Sequence, residues 1–224
     1  MPIAEYQQQV DDLLRDQAGV TTADARDRAI DQAVTRYSSD CPREVTEDVV
    51  WPQLGVFGPV PTAWREGDWV REVEYPIGQR PAALIHAGIA RMPEGWTLES
   101  MQALPAGAAV RVRFLAAHDL ETIPARHRLA VAQYAASLLC HQLAVHYSGQ
   151  RESSMGAEIS QTETRAREYA ARHRELRTAY YIGTGQPDPF AKATAATASG
   201  EQPAAAVASW PGRRRLGLVR RGGL

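Results

Sequence analysis

Residues 109–147 read AVRVRFLAAHDLETIPARHRLAVAQYAASLLCHQLAVHY, and the spacing of the apolar residues changes partway along. Val110, Val112 and Phe114 alternate with Arg111 and Arg113, the period of two expected of a strand with one buried face. Pro124 then suits the first turn of a helix, where a missing N–H costs no hydrogen bond. From there onward Leu129, Tyr134, Leu138, Leu139, Leu143 and Tyr147 surround an alanine-rich stretch that leaves little polar face, as in a helix buried at the centre of a core. A strand running into a buried helix predicts an α+β fold.

Upstream, Tyr6, Val10, Leu13 and Leu14 share one face of a helix over 4–17, ended by Gly19. Thr21 or Thr22 can cap a second helix through about Ser38 by accepting a first-turn N–H, with Ile30, Val34 and Tyr37 as its buried stripe and Pro42 as its stop. Residues 44–121 lose helical periodicity and are punctuated by proline. Segments 44–51, 69–75, 82–91 and 109–114 read as strands of a small antiparallel sheet, with turns at Pro-Glu-Gly (93–95) and Pro-Ala-Gly (105–107). Downstream of the buried helix, 157–182 reads as a charged helix with Glu163–Arg167 and Glu168–Arg172 at i, i+4. Ile159, Ala166, Tyr169, Ala170, His173, Leu176 and Tyr180 form its inward face, and Gly183 ends it. The expectation is a bundle of about four helices with a β-rich insert between helices 2 and 3 and an extended C-terminal tail. It divides into N-terminal helices (1–43), insert (44–121), core helices (122–183), and linker with basic tail (184–224).

The 224 residues carry 25 Lys and Arg against 26 Asp and Glu, a net of −1 that hides a division. Residues 1–125 hold 11 Arg against 19 acids, a net of −8; residues 126–224 hold 13 Arg and one Lys against 7 acids, a net of +7. Such asymmetry suggests that the two halves meet different surfaces. Two cysteines exclude a disulfide-rich scaffold and a four-cysteine zinc site. The N-terminus lacks the apolar run of a signal peptide, and no stretch approaches the roughly 20 apolar residues that cross a bilayer. A soluble chain made inside the cell is expected, with no membrane partner.

No catalytic constellation assembles from the sequence. Cys140, His141 and His146 fall on one helix, but the histidines at i, i+5 point about 140° apart and do not share a metal as an i, i+4 pair does. They read as a core thiol and two ordinary helix histidines. His118-Asp119 follows a strand without a serine in a nucleophile-elbow context. Gly-Thr-Gly (183–185) follows a helix, not the strand a dinucleotide fingerprint requires. Trp51, Trp64, Trp69 and Trp96 read as packing for a small sheet. The sequence therefore predicts no catalytic residue, metal or cofactor.

The C-terminus is different. Residues 203–224 contain five Arg and no acid. Trp210, Leu216, Leu218, Val219 and Leu224 can dock in a partner while Arg213, Arg214, Arg215, Arg220 and Arg221 pair with its acids. The same arginines are also compatible with non-specific phosphate binding, so a nucleic-acid-binding protein is one alternative. A small-molecule-binding domain on the β-rich insert is another.

Helices ending at Arg-Tyr-Ser-Ser-Asp-Cys-Pro-Arg-Glu-Val (36–45) lead into Val-Glu-Tyr-Pro-Ile-Gly (73–78) and Val-Arg-Val-Arg-Phe (110–114). Then follow Ala-Val-Ala-Gln-Tyr-Ala-Ala-Ser-Leu-Leu-Cys (130–140), Arg-Glu-Tyr-Ala-Ala-Arg (167–172) and Leu-Arg-Thr-Ala-Tyr-Tyr (176–181). This arrangement, over residues 4–182, resembles the head–tail connector (adaptor, neck) proteins of tailed bacteriophages. The resemblance implies a non-enzymatic virion protein of the neck, made in the host bacterial cytoplasm. It implies a ring, commonly of twelve copies, between the portal protein and a tail-side neck or stopper protein. Genomic DNA would pass through without specific binding, and the C-terminal extension would reach the portal. A head-to-tail ring needs two unlike faces on each copy; Asp24, Asp27 and Asp31 on one helix and Arg165, Arg167 and Arg172 on another are the candidates.

Overall fold

The computed structural model describes residues 3–16, 19–149 and 157–190, with backbone alone over 157–164. Residues 1–187 form one compact unit. Helix α1 (Ile3–Leu14) buries Tyr6, Val10 and Leu14, which recur every fourth residue on one face. It stops at Leu14, short of the expected 17, as Arg15 turns to a φ of 49°. Helix α2 (Ala23–Asp40) begins at Thr22, whose Oγ1 accepts the Ala25 N–H at 3.2 Å. Ala29, Ile30, Ala33 and Tyr37 are its buried residues, and Val34 is only half-buried.

The insert lies between α2 and α3, as expected, but forms two antiparallel sheets where one was expected. Strands β1 (Arg43–Val50), β3 (Trp69–Glu74), β4 (Leu84–Ile85) and β7 (Ala109–Ala116) form one, in the order β1-β7-β3-β4. Strands β2 (Gly55–Gly58), β5 (Ala87–Met92) and β6 (Gly95–Leu104) form the other, in the order β2-β6-β5. The expected strand 82–91 is divided at His86 between the two sheets. Val110, Val112 and Phe114 of β7 are fully buried, and share a core with Trp51, Val73, Leu98 and Leu104.

The opposite face of β7 carries arginines between acidic neighbours. Arg111 makes a bidentate pair with Asp48 of β1 (2.8 and 2.9 Å), and Arg113 reaches Glu72 of β3 at 3.0 Å. Edge strand β1 is covered in part by a loop: Glu47 accepts the N–H groups of Thr62 (2.7 Å) and Ala63 (3.0 Å). Pairing or covering an edge in this way keeps it from recruiting a foreign strand.

Helix α3 (Ala125–Gly149) packs on all three other helices, and most extensively on α4 (Ala157–Thr184). Ala130, Val131, Ala132, Ala135, Ala136, Leu139, Cys140 and Leu143 are all buried. Leu129 departs from the expected stripe and is 53% exposed. Gly183 does not end α4 but lies inside it, where a Cβ would stand 3.0 Å from the Ala130 Cβ. The helix ends instead at Gly185 (φ 70°), with Gln186 N–H donating to Tyr181 O and Gly185 N–H to Ile182 O. That pair of bonds is the Schellman motif.

Gly58 lies directly against the ring of the fully buried Trp51. A methyl group there overlaps the indole, and overpacking a rigid core costs about 1–3 kcal/mol. Gly58→Ala is therefore expected to lower the urea midpoint by about 2 kcal/mol worth of stability at unchanged m-value, measured by equilibrium unfolding.

Candidate functional site

Where the insert leaves and rejoins the helices, four elements meet around Tyr37. Its hydroxyl lies 2.6 Å from His127 Nδ1, and its ring centroid 5.0 Å from that of His118. His118 N–H donates to Ser38 Oγ at 2.9 Å, and its ring nitrogen contacts Thr122 Oγ1 at 3.3 Å. Burial pushes the pKa of His118 down, with Arg43 adding to the effect. Burial does the same to His127, aided by Arg126 and His118. The Thr122 N–H, followed by other hydrogen bonds, holds the Asp119 carboxyl below its usual range. The pairing His118-Asp119 is thus part of a turn: Asp119 Oδ1 accepts the N–H groups of Glu121 and Thr122.

Cys140 is fully buried and its thiol is pushed up to about 11 by desolvation, which suppresses the nucleophilic thiolate. His141 and His146 are exposed; the ring of His141 meets that of His173 at a tilt of 41°, with centroids 5.1 Å apart. Trp51 is buried and donates to Gly55 O at 2.9 Å, while Trp64 and Trp96 meet edge to face at 5.4 Å. Trp69, in contrast, is 71% exposed. Among the described residues no group of three or more His, Cys, Asp or Glu side chains is arranged to hold a metal ion. No helix among them is long and apolar enough to cross a membrane.

Asp24 and Asp31 lie on the exposed face of α2. Asp27 is half-buried and accepts Gln7 Nε2 at 2.7 Å. On α4, Arg165 and Arg167 are exposed, with Arg165 over the Tyr147 ring, and Arg172 is half-buried. The structure does not bring these two groups together within one chain. Trp210, Arg213, Arg214, Arg215, Leu216, Leu218, Val219, Arg220, Arg221 and Leu224 lie outside the described residues, as does the side chain of Glu163.

Two adjoining grooves along α2 were not expected. One, of about 610 Å³, is lined by Ile3, Asp31, Val34, Thr35, Asp119, Leu120 and Glu121. The other, of about 430 Å³, shares Val34 and Thr35 and continues past Ser38 to Trp69, Leu115 and His118, with Glu66 and Asp68. A signal for them exists in α2, where 31, 34, 35 and 38 share a helix face distinct from the core stripe. The other walls come from distant loops.

No family model matches the chain, and no curated protein matches it. The structure is similar to chains of solved particles. One belongs to the neck of an empty GTA particle computed with C6 symmetry, at 17% identity and a TM-score of 0.27, covering 75% of this chain and 88% of that one. A second belongs to the virion of a native gene transfer agent (GTA) particle, at 18% identity and a TM-score of 0.25, covering 75% and 88%. A third belongs to the neck of a native GTA particle computed with C12 symmetry, at 15% identity and a TM-score of 0.25, covering 75% and 87%.

The folded chain holds His118, His127 and His173 neutral to a lower pH than the unfolded chain does, burial being the main cause. Between the two pKa values the unfolded state binds more protons, so acid favours unfolding. Stability is expected to be complete above about the ordinary histidine value of 6.5 and to fall as pH drops below it. Melting temperatures measured from pH 8 to pH 5 test this, with His127→Asn flattening the decline.

Proposed function

We propose that the chain is a structural component of the neck of a phage-like particle. Copies join head to tail in a ring beneath the portal, and the ring continues the channel for DNA. Residues 203–224 dock on the portal, Trp210 and the leucines as anchors and the arginines against acidic groups. The net charge of −8 over residues 1–125, where it faces the channel, disfavours gripping the DNA backbone and lets the genome slide.

The observation that carries this reading is the opposite sign of the charge excess on the exposed faces of two helices that both pack on α3. Asp24 and Asp31 outnumber Arg28 among the exposed charges of α2, and Arg165, Arg167 and Arg174 outnumber Glu168 and Glu175 among the described exposed charges of α4. A copy with two unlike, oppositely charged faces is suited to heterologous association, which closes into rings when the rotation permits. Two of the similar solved chains lie in gene transfer agent necks; the reading itself rests on this chain's own residues.

Deleting residues 203–224 is expected to abolish co-sedimentation with the portal while leaving the thermal unfolding of the remainder unchanged. Undiminished binding by the shortened chain would refute the docking role. Negative-stain imaging of the intact chain, alone and on the portal, is expected to show a ring or collar.

A further inference from the structure

The two grooves along α2 form one trough, since both are lined by Val34 and Thr35. Its floor is apolar, from Ile3, Val34 and Leu120 to Leu115 and Trp69, and its rim is acidic. Asp31, Glu66 and Glu121 are exposed on that rim, and none makes an ion pair among the described residues. Asp68 and Asp119 add two further carboxylates fixed by backbone N–H groups. No Arg or Lys lines either groove among the described residues.

Helix α4 presents the complementary surface. Arg174, Thr178 and Ile182 lie within one stripe of the helix, and all three are exposed, with Glu175 exposed at the edge of the stripe. Ile182 is 77% exposed, and Leu129, 53% exposed, stands beside it because Gly183 packs on Ala130. The ridge thus ends in an apolar knob. From Arg174 to Ile182 the helix advances about 12 Å, and from Asp31 to Ser38 about 10 Å, so ridge and trough are matched in length.

We propose that the trough along α2 seats the α4 ridge of a second copy of this chain. Ile182 and Leu129 pack on Val34 and Leu120, and Arg174 faces Asp31 and Glu121. This deepens the ring reading above and rests on it: trough and ridge are the two unlike faces of each copy, and every contact leaves one of each free for the next.

The test uses full-length protein in sedimentation velocity and negative-stain imaging, with circular dichroism confirming that each variant folds. Asp31→Arg with Glu121→Arg blocks the trough; Arg174→Glu blocks the ridge. Each charge reversal is expected to weaken self-association on the order of 100-fold, because like charges then face one another across the contact. Ile182→Asp removes the apolar knob and is expected to do the same without touching the charges. Mixing the trough-blocked and ridge-blocked chains is expected to restore assembly, since the reversed trough and the reversed ridge again pair opposite charges while the other two faces are unaltered. Variants that assemble like the unaltered chain overturn the trough while leaving the ring standing. An unaltered chain that stops at a dimer, lost in these variants, upholds the contact and overturns the ring. An unaltered chain that stays monomeric at every concentration overturns both.

Discussion

The fold depends on burying α3 from every side. Its apolar residues are not confined to one stripe, so no single neighbour can cover them. The alanines at 130, 132, 135 and 136 let other helices approach closely, and Gly183 meets Ala130 at the tightest point. Ser137, buried on α3, is satisfied locally: its Oγ donates to Tyr134 O at 2.7 Å, and its backbone O lies 2.9 Å from His173 Nδ1. Helices α1, α2 and α4 cover α3, and each therefore has an inward face fixed by what α3 presents.

That arrangement also fixes where the insert can attach. It leaves from the end of α2 and returns at the start of α3, two points already held together by the bundle. Ser38 accepts from the His118 backbone and donates to Val34 O at 2.8 Å, so it ties the returning strand to α2 without interrupting the helix. Tyr37 packs between the two histidines and contributes to the bundle core. The β-rich part thereby has its own core around Trp51 and Phe114 but shares its boundary with the helices.

How much was legible follows from how local each signal is. Strand β7 declares itself because every second residue is buried, and the cap at Thr22 because it acts over three residues. Strand β6 does not: it buries Leu98, Ser100 and Leu104, so a serine stands where an apolar residue would mark the pattern. The register with β2 also shifts between Gly55 and Phe57, and a bulge breaks the period of two. Strand β2 is two glycines around Val56 and Phe57, one glycine being required by the Trp51 ring, which no local pattern announces. The exposure of Leu129 and Ile182 was hidden for the opposite reason, since an apolar residue on a mostly buried helix reads as core. Asp31 was visible as a candidate, but the trough beside it needs Leu120 and Glu121, which only the closed fold brings to α2.

The charge division takes a more specific form in three dimensions. Some carboxylates of the acidic half are paired within the chain, by Arg26 on Asp11, Arg36 on Asp40, Arg111 on Asp48 and Arg113 on Glu72. What remains on the trough rim is a small number of carboxylates around an apolar floor. Exposed ion pairs contribute little free energy singly, because water and salt screen them. In the proposed contact the affinity therefore comes from the apolar half, where Ile182 and Leu129 leave water for Val34 and Leu120. The charges act on geometry instead. An all-acidic rim repels a second rim and accepts an arginine ridge, which sets orientation and register between copies. A surface built this way selects an unlike face of the same molecule, which is what head-to-tail assembly requires.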